Sequence, residues 1–295
     1  MAVNELKINL KPMLKKFEVS TSRNMMGDLT GSYLTLIKGR GLEFDGFRNY
    51  TINDDASQID WKASLRAQQT LVKKYVEERN LNMFFLFNVS NSMLYGSTHQ
   101  MKAEYAAELI SSLAFAVLQV GDYAGLAMFN DKIIKTVPLM TGKQQYYIIT
   151  KHLSDPKLYG GKSDFGYALK FLIQFLKKRS IVIIVSDFLG LKGDWEKYLL
   201  LASEKFDILI FIVRDPNDVT IPSSTGQVVI QDPFSQEQMV VDSAKAKEFY
   251  EQTVQEENRK LYAVLKRRSI PYVQLLTDKP FVHNVTNFLK MHAAK

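Results

Sequence analysis

The sequence predicts an α/β protein with a mostly parallel central sheet and helices on both faces. Three observations predict it. Short continuous apolar runs occur at 83–88, 181–185 and 208–213, as in strands covered on both faces. Segments with apolar residues at helical spacing lie between them. Strand–helix alternation of this kind requires crossover connections, which make the sheet parallel.

The elements follow in chain order. The run Met83-Phe84-Phe85-Leu86-Phe87-Asn88 is the first core strand. A helix is predicted over 99–120, where Met101, Tyr105, Leu109, Leu113, Val117 and Val120 recur on one face. Strands at 123–129 and 133–139 flank Asn130-Asp131, a hairpin turn. Residues 143–153 are helical. Phe165, Ala168, Leu169, Leu172, Ile173 and Leu176 mark another helix, closed by Lys177-Lys178-Arg179. Strand 181–185, helix 195–204 and strand 208–213 follow. Residues 215–242 read as a loop with an edge hairpin, 228–230 against 239–241. A long helix runs from Ser243 to about Arg268, then a strand at 272–276 and a final helix. The character of the chain changes near residue 80, before which polar, irregular segments dominate. We therefore divide it into an N-terminal appendage, 1–80, packed on a main domain, 81–295.

Composition narrows the function. The chain has 295 residues, of which 46% are apolar, enough for a sizeable core. It lacks cysteine, which excludes disulfides, thiolate metal sites and a Cys nucleophile. The net charge of +7 is spread along the chain, +3 in the first 80 residues and +4 in the rest. Nucleic-acid binders concentrate their charge, so no nucleic-acid partner is expected. No apolar run reaches the roughly 18–20 residues that span a bilayer, and residues 1–20 lack a signal-peptide core. The expected location is cytoplasmic, with no membrane span.

In parallel sheets, ligands gather at the carboxyl ends of the strands. Three loops place oxygen-bearing side chains there: Asn88-Val89-Ser90-Asn91-Ser92, Gly160-Gly161-Lys162-Ser163-Asp164 and Ser186-Asp187-Phe188. Such donors suit a hard cation such as Mg²⁺. Each loop also has a purely structural reading. Ser163 can cap the next helix, Ser90 and Ser92 can satisfy turn amides, and Gly160-Gly161 can simply permit a turn.

These loops resemble the von Willebrand factor A fold and its metal-ion-dependent adhesion site. That family's pattern is Asp-x-Ser-x-Ser, a Gly-Gly-x-Thr loop before an Ala-Leu helix, and an Asp after a buried strand. The resemblance implies that Ser90 and Ser92 are direct ligands, that Ser163 stands at the Thr position, and that Asp187 acts through water or behind the ligands. Asn88 replaces the usual first Asp. The expected cofactor is therefore Mg²⁺ or Mn²⁺, bound weakly or lost, because site charge governs affinity for hard cations.

Residues 39–75 carry a second pattern. It comprises Gly39-Arg40-Gly41-Leu42-Glu43-Phe44, Arg48-Asn49-Tyr50, Asp54-Asp55, Ile59-Asp60-Trp61-Lys62, Arg66 and Leu71-Val72-Lys73-Lys74-Tyr75. This is similar to the family called domain of unknown function 58, with Asn53 where that family usually has Gly. The resemblance implies a von Willebrand factor A-like domain and a protein partner, a MoxR-type AAA+ ATPase, in assembly or maturation of other proteins. Read physically, Arg48, Arg66 and Lys62 can pair with Glu43, Asp54, Asp55 and Asp60, clipping the segment to the main domain. The other reading is a docking surface with Arg48, Tyr50, Asp60, Trp61 and Arg66 as partner-binding residues, since Trp, Tyr and Arg are enriched at binding hot spots.

No nucleophile–base arrangement, Walker loop or zinc spacing is present, and His99, His152, His283 and His292 form no helical pair. The expectation is a non-enzymatic interaction protein with a degenerate adhesion site. The alternative is a metal-assisted hydrolase using the same strand ends.

Overall fold

The structure, a computed structural model, describes residues 43–51, 54–76, 81–220, 226–231 and 238–293. Residues 1–42, with the predicted Gly39-Arg40-Gly41 motif, and Asn53 lie outside them, as does the side chain of Glu43.

The first described unit is small. Strand β1 (Glu43–Asn49) pairs antiparallel with β2 (Leu71–Val76), and helix α1 (Trp61–Ala67) lies between them in sequence. Ser64 fastens α1 to β2: its hydroxyl accepts from the Leu71 amide at 2.8 Å and donates to the Asp60 carbonyl at 2.7 Å.

The second unit is a six-stranded sheet built from β3 (Asn82–Asn88), β4 (Tyr123–Phe129), β5 (Ile133–Met140), β6 (Ile181–Ser186), β7 (Asp207–Arg214) and β10 (Tyr272–Leu276). Its order is β10-β7-β6-β3-β4-β5, parallel throughout except for the antiparallel edge pair β4–β5. This is the expected von Willebrand factor A-like α/β architecture. A separate hairpin pairs β8 (Gln227–Gln231) with β9 (Gln238–Asp242), as predicted.

Strand side chains alternate between the two faces. Met83, Phe85 and Phe87 of β3 enter one core with Ile181, Ile183 and Val185 of β6. Helices α2 (Lys102–Gln119), α3 (Lys143–Leu153) and α7 (Phe281–Ala293) cover that face. Phe84 and Leu86 enter a second core under α4 (Phe165–Phe175), α5 (Trp195–Lys205) and α6 (Ser243–Arg267). Two covered faces explain the unbroken apolar runs: a polar residue on either side would be stranded away from water. Each Phe or Leu so buried contributes roughly 1.5–3 kcal/mol.

Helix α2 begins three residues later than its periodicity predicts. The loop that precedes it is tied at the Ser97 amide to Asp215, and the helix starts only after Met101, whose amide donates to the Glu104 carboxylate at 2.8 Å. The predicted Ser163 cap is also displaced by one residue. Asp164 caps α4, accepting from the Tyr167 amide at 2.9 Å. A carboxylate suits this position because it also faces the positive helix end.

Candidate functional site

The connections leave β3 toward β4 on one side and return to β6 on the other. The carboxyl ends of β3 and β6 therefore flank the crevice where a doubly wound sheet receives ligands. The last residues of these strands meet there. The Asn88 carboxamide donates to Ser186 Oγ at 3.1 Å, and its oxygen accepts from the Ser90 amide at 3.0 Å. Ser186 Oγ also accepts from the Phe188 amide at 3.0 Å. Ser90 and Ser92 hydroxyls lie 3.2 Å apart, both buried.

Phe188 adopts φ +52°, a left-handed conformation that a bulky residue tolerates only under constraint. The constraint is visible. Its amide is tied to Ser186, and its ring is buried edge-on against Phe165 at 5.2 Å between centroids. Strain of about 1–3 kcal/mol is thus held beside Asp187.

The glycine loop is stitched to the serine loop by backbone and side-chain bonds. Asn91 donates from its amide to the Gly161 carbonyl, and its side-chain oxygen accepts from the Gly161 amide, both at 2.9 Å. Gly160 donates to the Val89 carbonyl at 2.7 Å. Gly161 has φ +88°, and a Cβ there would stand 2.6 Å from Asn130 Nδ2. Ser163, half-buried, lines an open cleft of about 370 Å³ with Asp164, Tyr167, Lys170 and Lys192. The structure therefore brings Asn88, Ser90, Ser92 and Asp187 to one rim and sets Ser163 in the adjoining cleft.

The decisive group is one that sequence reasoning missed. Lys102, the first residue of α2, is 1% exposed. Its ammonium donates to Asp187 Oδ2 at 2.9 Å and to Asp218 Oδ2 at 2.7 Å. Burial alone would push its pKa down, but the two carboxylates outweigh this and hold it above the ordinary lysine value. Asp218 also accepts from the Asp215 amide, and buried Asp215 accepts from the Ser97 amide at 2.7 Å and the Asn217 amide at 2.9 Å. The loop before α2 is thereby pinned to the end of β7. Gly96 lets it double back: a Cβ there would lie 2.5 Å from the Gln100 carbonyl oxygen. A lysine in the first turn of a helix opposes the helix dipole and is almost never fully buried without partners. Of this, the sequence offered only a cation in the first turn of a predicted helix; the burial is seen in the structure alone.

The implied divalent cation can be tested against these donors. The Asn88 oxygen faces an amide, its nitrogen faces Ser186, and Asp187 already neutralises an ammonium. Among the described residues, no three acidic or imidazole side chains form a metal-holding group. A dication here would meet two carboxylates already engaged, Asp187 and Asp218, and the positive charge that engages them. The residues present do not fit it.

The N-terminal residues divide differently. Arg48 forms a bidentate pair with Asp54, whose second contact is 2.7 Å. That guanidinium, with the Thr51 amide, holds the Asp54 carboxyl well below the usual range. Asp60 caps α1 through the Ala63 amide and lies 3.5 Å from Lys73, not from Arg66 or Lys62. The Tyr50 amide donates to the Thr70 carbonyl. Trp61 is 66% exposed and Leu65 80% exposed, one turn apart on α1, with Arg66 exposed beside them. His99 is exposed as well.

A family model described as "Protein of unknown function DUF58" matches residues 46–260. An uncharacterized protein of Mycobacterium tuberculosis, Rv1480, is 25% identical over 284 residues, covering 95% of this chain and 89% of its own. The uncharacterized protein YeaD of Bacillus subtilis is 29% identical over 107 residues, 36% of this chain and 25% of its own. Among solved structures, the conserved hypothetical protein BatB of Bacteroides thetaiotaomicron is 17% identical, with a TM-score of 0.49, covering 73% of this chain and 100% of that one. A von Willebrand factor type A protein of Catenulispora acidiphila is 12% identical, with a TM-score of 0.43, covering 76% and 44%.

Proposed function

We propose a function from one premise, that the chain belongs to the family described as protein of unknown function DUF58. It is a non-enzymatic interaction protein that docks a partner through α1 and serves in the assembly or maturation of other proteins. The observation that carries this reading is the exposure of Trp61 and Leu65 on one face of α1, at 66% and 80%. Water-exposed Trp beside Arg has the composition of an interface hot spot, and Leu65 extends the exposed apolar surface around it. Arg48, Asp60 and Ser64 serve to hold that face in position, since each is committed to a local partner.

The partner proposed is a MoxR-type AAA+ ATPase, which the family resemblance implies. The setting proposed is the cytoplasm; among the described residues, no helix is long and apolar enough to cross a membrane.

The test is direct binding of the full chain to a purified MoxR-type ATPase, with and without ATP, by titration calorimetry. Trp61→Ala should weaken the complex at least about tenfold, because hot-spot truncations cost about 2 kcal/mol or more. The same variant should keep its melting temperature, since Trp61 is largely in water. Unaltered affinity in Trp61→Ala would reject α1 as the docking face. Absence of any complex in either nucleotide state would reject the partner.

A further inference from the structure

We propose that the Lys102 ammonium is the resident cation of this rim, built into the chain in place of an exchangeable divalent ion. Four observations carry it. The ammonium bridges two carboxylates from separate elements, Asp187 after β6 and Asp218 after β7, at 2.9 and 2.7 Å. It is buried, as is Asp187, so water does not share its contacts. The one residue at which the adhesion-site pattern loses a carboxylate, Asn88, donates to Ser186 Oγ, a bond that an ionised carboxylate in its place could not supply, while its oxygen accepts from the Ser90 amide. The chain bends sharply at Gly96 to deliver Lys102 to this point.

Charge arithmetic agrees with the geometry. A dication balances two or more carboxylates and neutral hydroxyls. Here one carboxylate of the pattern is an amide, and the single positive charge sits against Asp187 of the pattern and against Asp218, which lies outside it. The exchange costs one acidic residue and supplies a tethered cation. A lysine also removes the need for ion capture, because its position is fixed by the backbone of α2. The rim therefore keeps its shape at any divalent ion concentration. This inference does not depend on the identity of the partner or on docking through α1.

The experiment uses the full chain and Mn²⁺ as probe, read by electron paramagnetic resonance and by melting temperature, with EDTA as control. The wild type should show no saturable Mn²⁺ binding at the rim and no change in melting temperature between EDTA and millimolar Mn²⁺ or Mg²⁺. Lys102→Ala leaves Asp187 and Asp218 facing an emptied space the size of the lost side chain. It should bind Mn²⁺ at least about tenfold more tightly than the wild type and be stabilised by it. Ethylammonium should also raise its melting temperature, and leave that of the wild type unmoved. Saturable Mn²⁺ binding by the wild type that disappears in a Ser90→Ala, Ser92→Ala variant overturns the proposal. So does a folded Lys102→Ala that responds to neither Mn²⁺ nor ethylammonium. Should Lys102→Ala fail to fold alone, refolding it in Mn²⁺ supplies the same reading: recovery supports the proposal and failure to recover counts against it. The wild-type arm decides in either case.

Discussion

Replacing Lys102 with Met removes the charge and keeps most of the buried stem. At an effective dielectric near 20, ion pairs at 2.9 and 2.7 Å are each worth about 6 kcal/mol in gross attraction. Mutual repulsion of the two carboxylates and the desolvation of all three groups, several kcal/mol per ion, offset most of that sum. The cost of Lys102→Met is set less by the lost attraction than by what stays behind, a pair of buried carboxylates without a cation. Breaking a buried pair in this way typically costs about 3–5 kcal/mol. Against a total stability of about 5–15 kcal/mol, that is a large fraction. Urea unfolding followed by circular dichroism should show a midpoint lowered accordingly with the slope unchanged. Adding Asp218→Asn should recover part of the loss, because it removes one of the stranded charges while an amide can still accept from the Asp215 amide. A loss below about 1 kcal/mol for Lys102→Met would refute this account, since it would place the ammonium among solvated surface pairs.

Three further outcomes follow from the same geometry. The stability difference between wild type and Lys102→Met should hold steady up to about pH 10 and shrink above it. A raised folded-state pKa gives stability that is complete below the unfolded lysine value, about 10.4, and is lost as pH rises through the folded value. Tyr250, pushed up to about 12 by burial, acts in the same direction and cancels in the comparison; urea midpoints from pH 7 to 11 check this, and a gap that widens with pH contradicts it. Asn88→Asp should destabilise by about 1–3 kcal/mol, since it deletes the donor to Ser186 and buries another negative charge near Asp187, and equal or greater stability in urea would count against the assigned amide orientation. Gly96→Ala should cost about 1–3 kcal/mol, because the new methyl meets backbone atoms of Gln100 and Met101 that cannot swing aside; a neutral result in thermal unfolding would show the loop to be yielding.

The strands and helices of the sheet unit were legible because their causes are local. An apolar run such as Phe84-Phe85-Leu86-Phe87 announces two covered faces, and Asn130-Asp131 announces a turn, which the Asn130 amide closes onto the Lys132 carbonyl. Boundaries failed where a distant group intervened. Residues 99–101 read as helical, but the preceding loop is tied at Ser97 to Asp215, 118 residues away, and the helix starts only at Lys102. The three rim loops were found because strand order and strand-end position follow from alternation. Lys102 was not, since its partners lie 85 and 116 residues along the chain and helical periodicity records it only as a polar position. The network drawn among Arg48, Arg66 and Lys62 was legible only in part. Arg48 found Asp54, five residues beyond its strand, whereas Asp60 was claimed by its own helix.

Helix α2 carries its positive charge at its tip and its apolar length in the core between the sheet and α3. A diffusing ion would report on its own supply. A charge mounted on a helix reports only on where that helix stands. Sliding α2 by a single residue, about 1.5 Å, would pull the ammonium from both oxygens at once. With Lys102 as the proposed resident cation, the mouth of the sheet is coupled to mechanical displacement of one rod rather than to the ionic content of its surroundings.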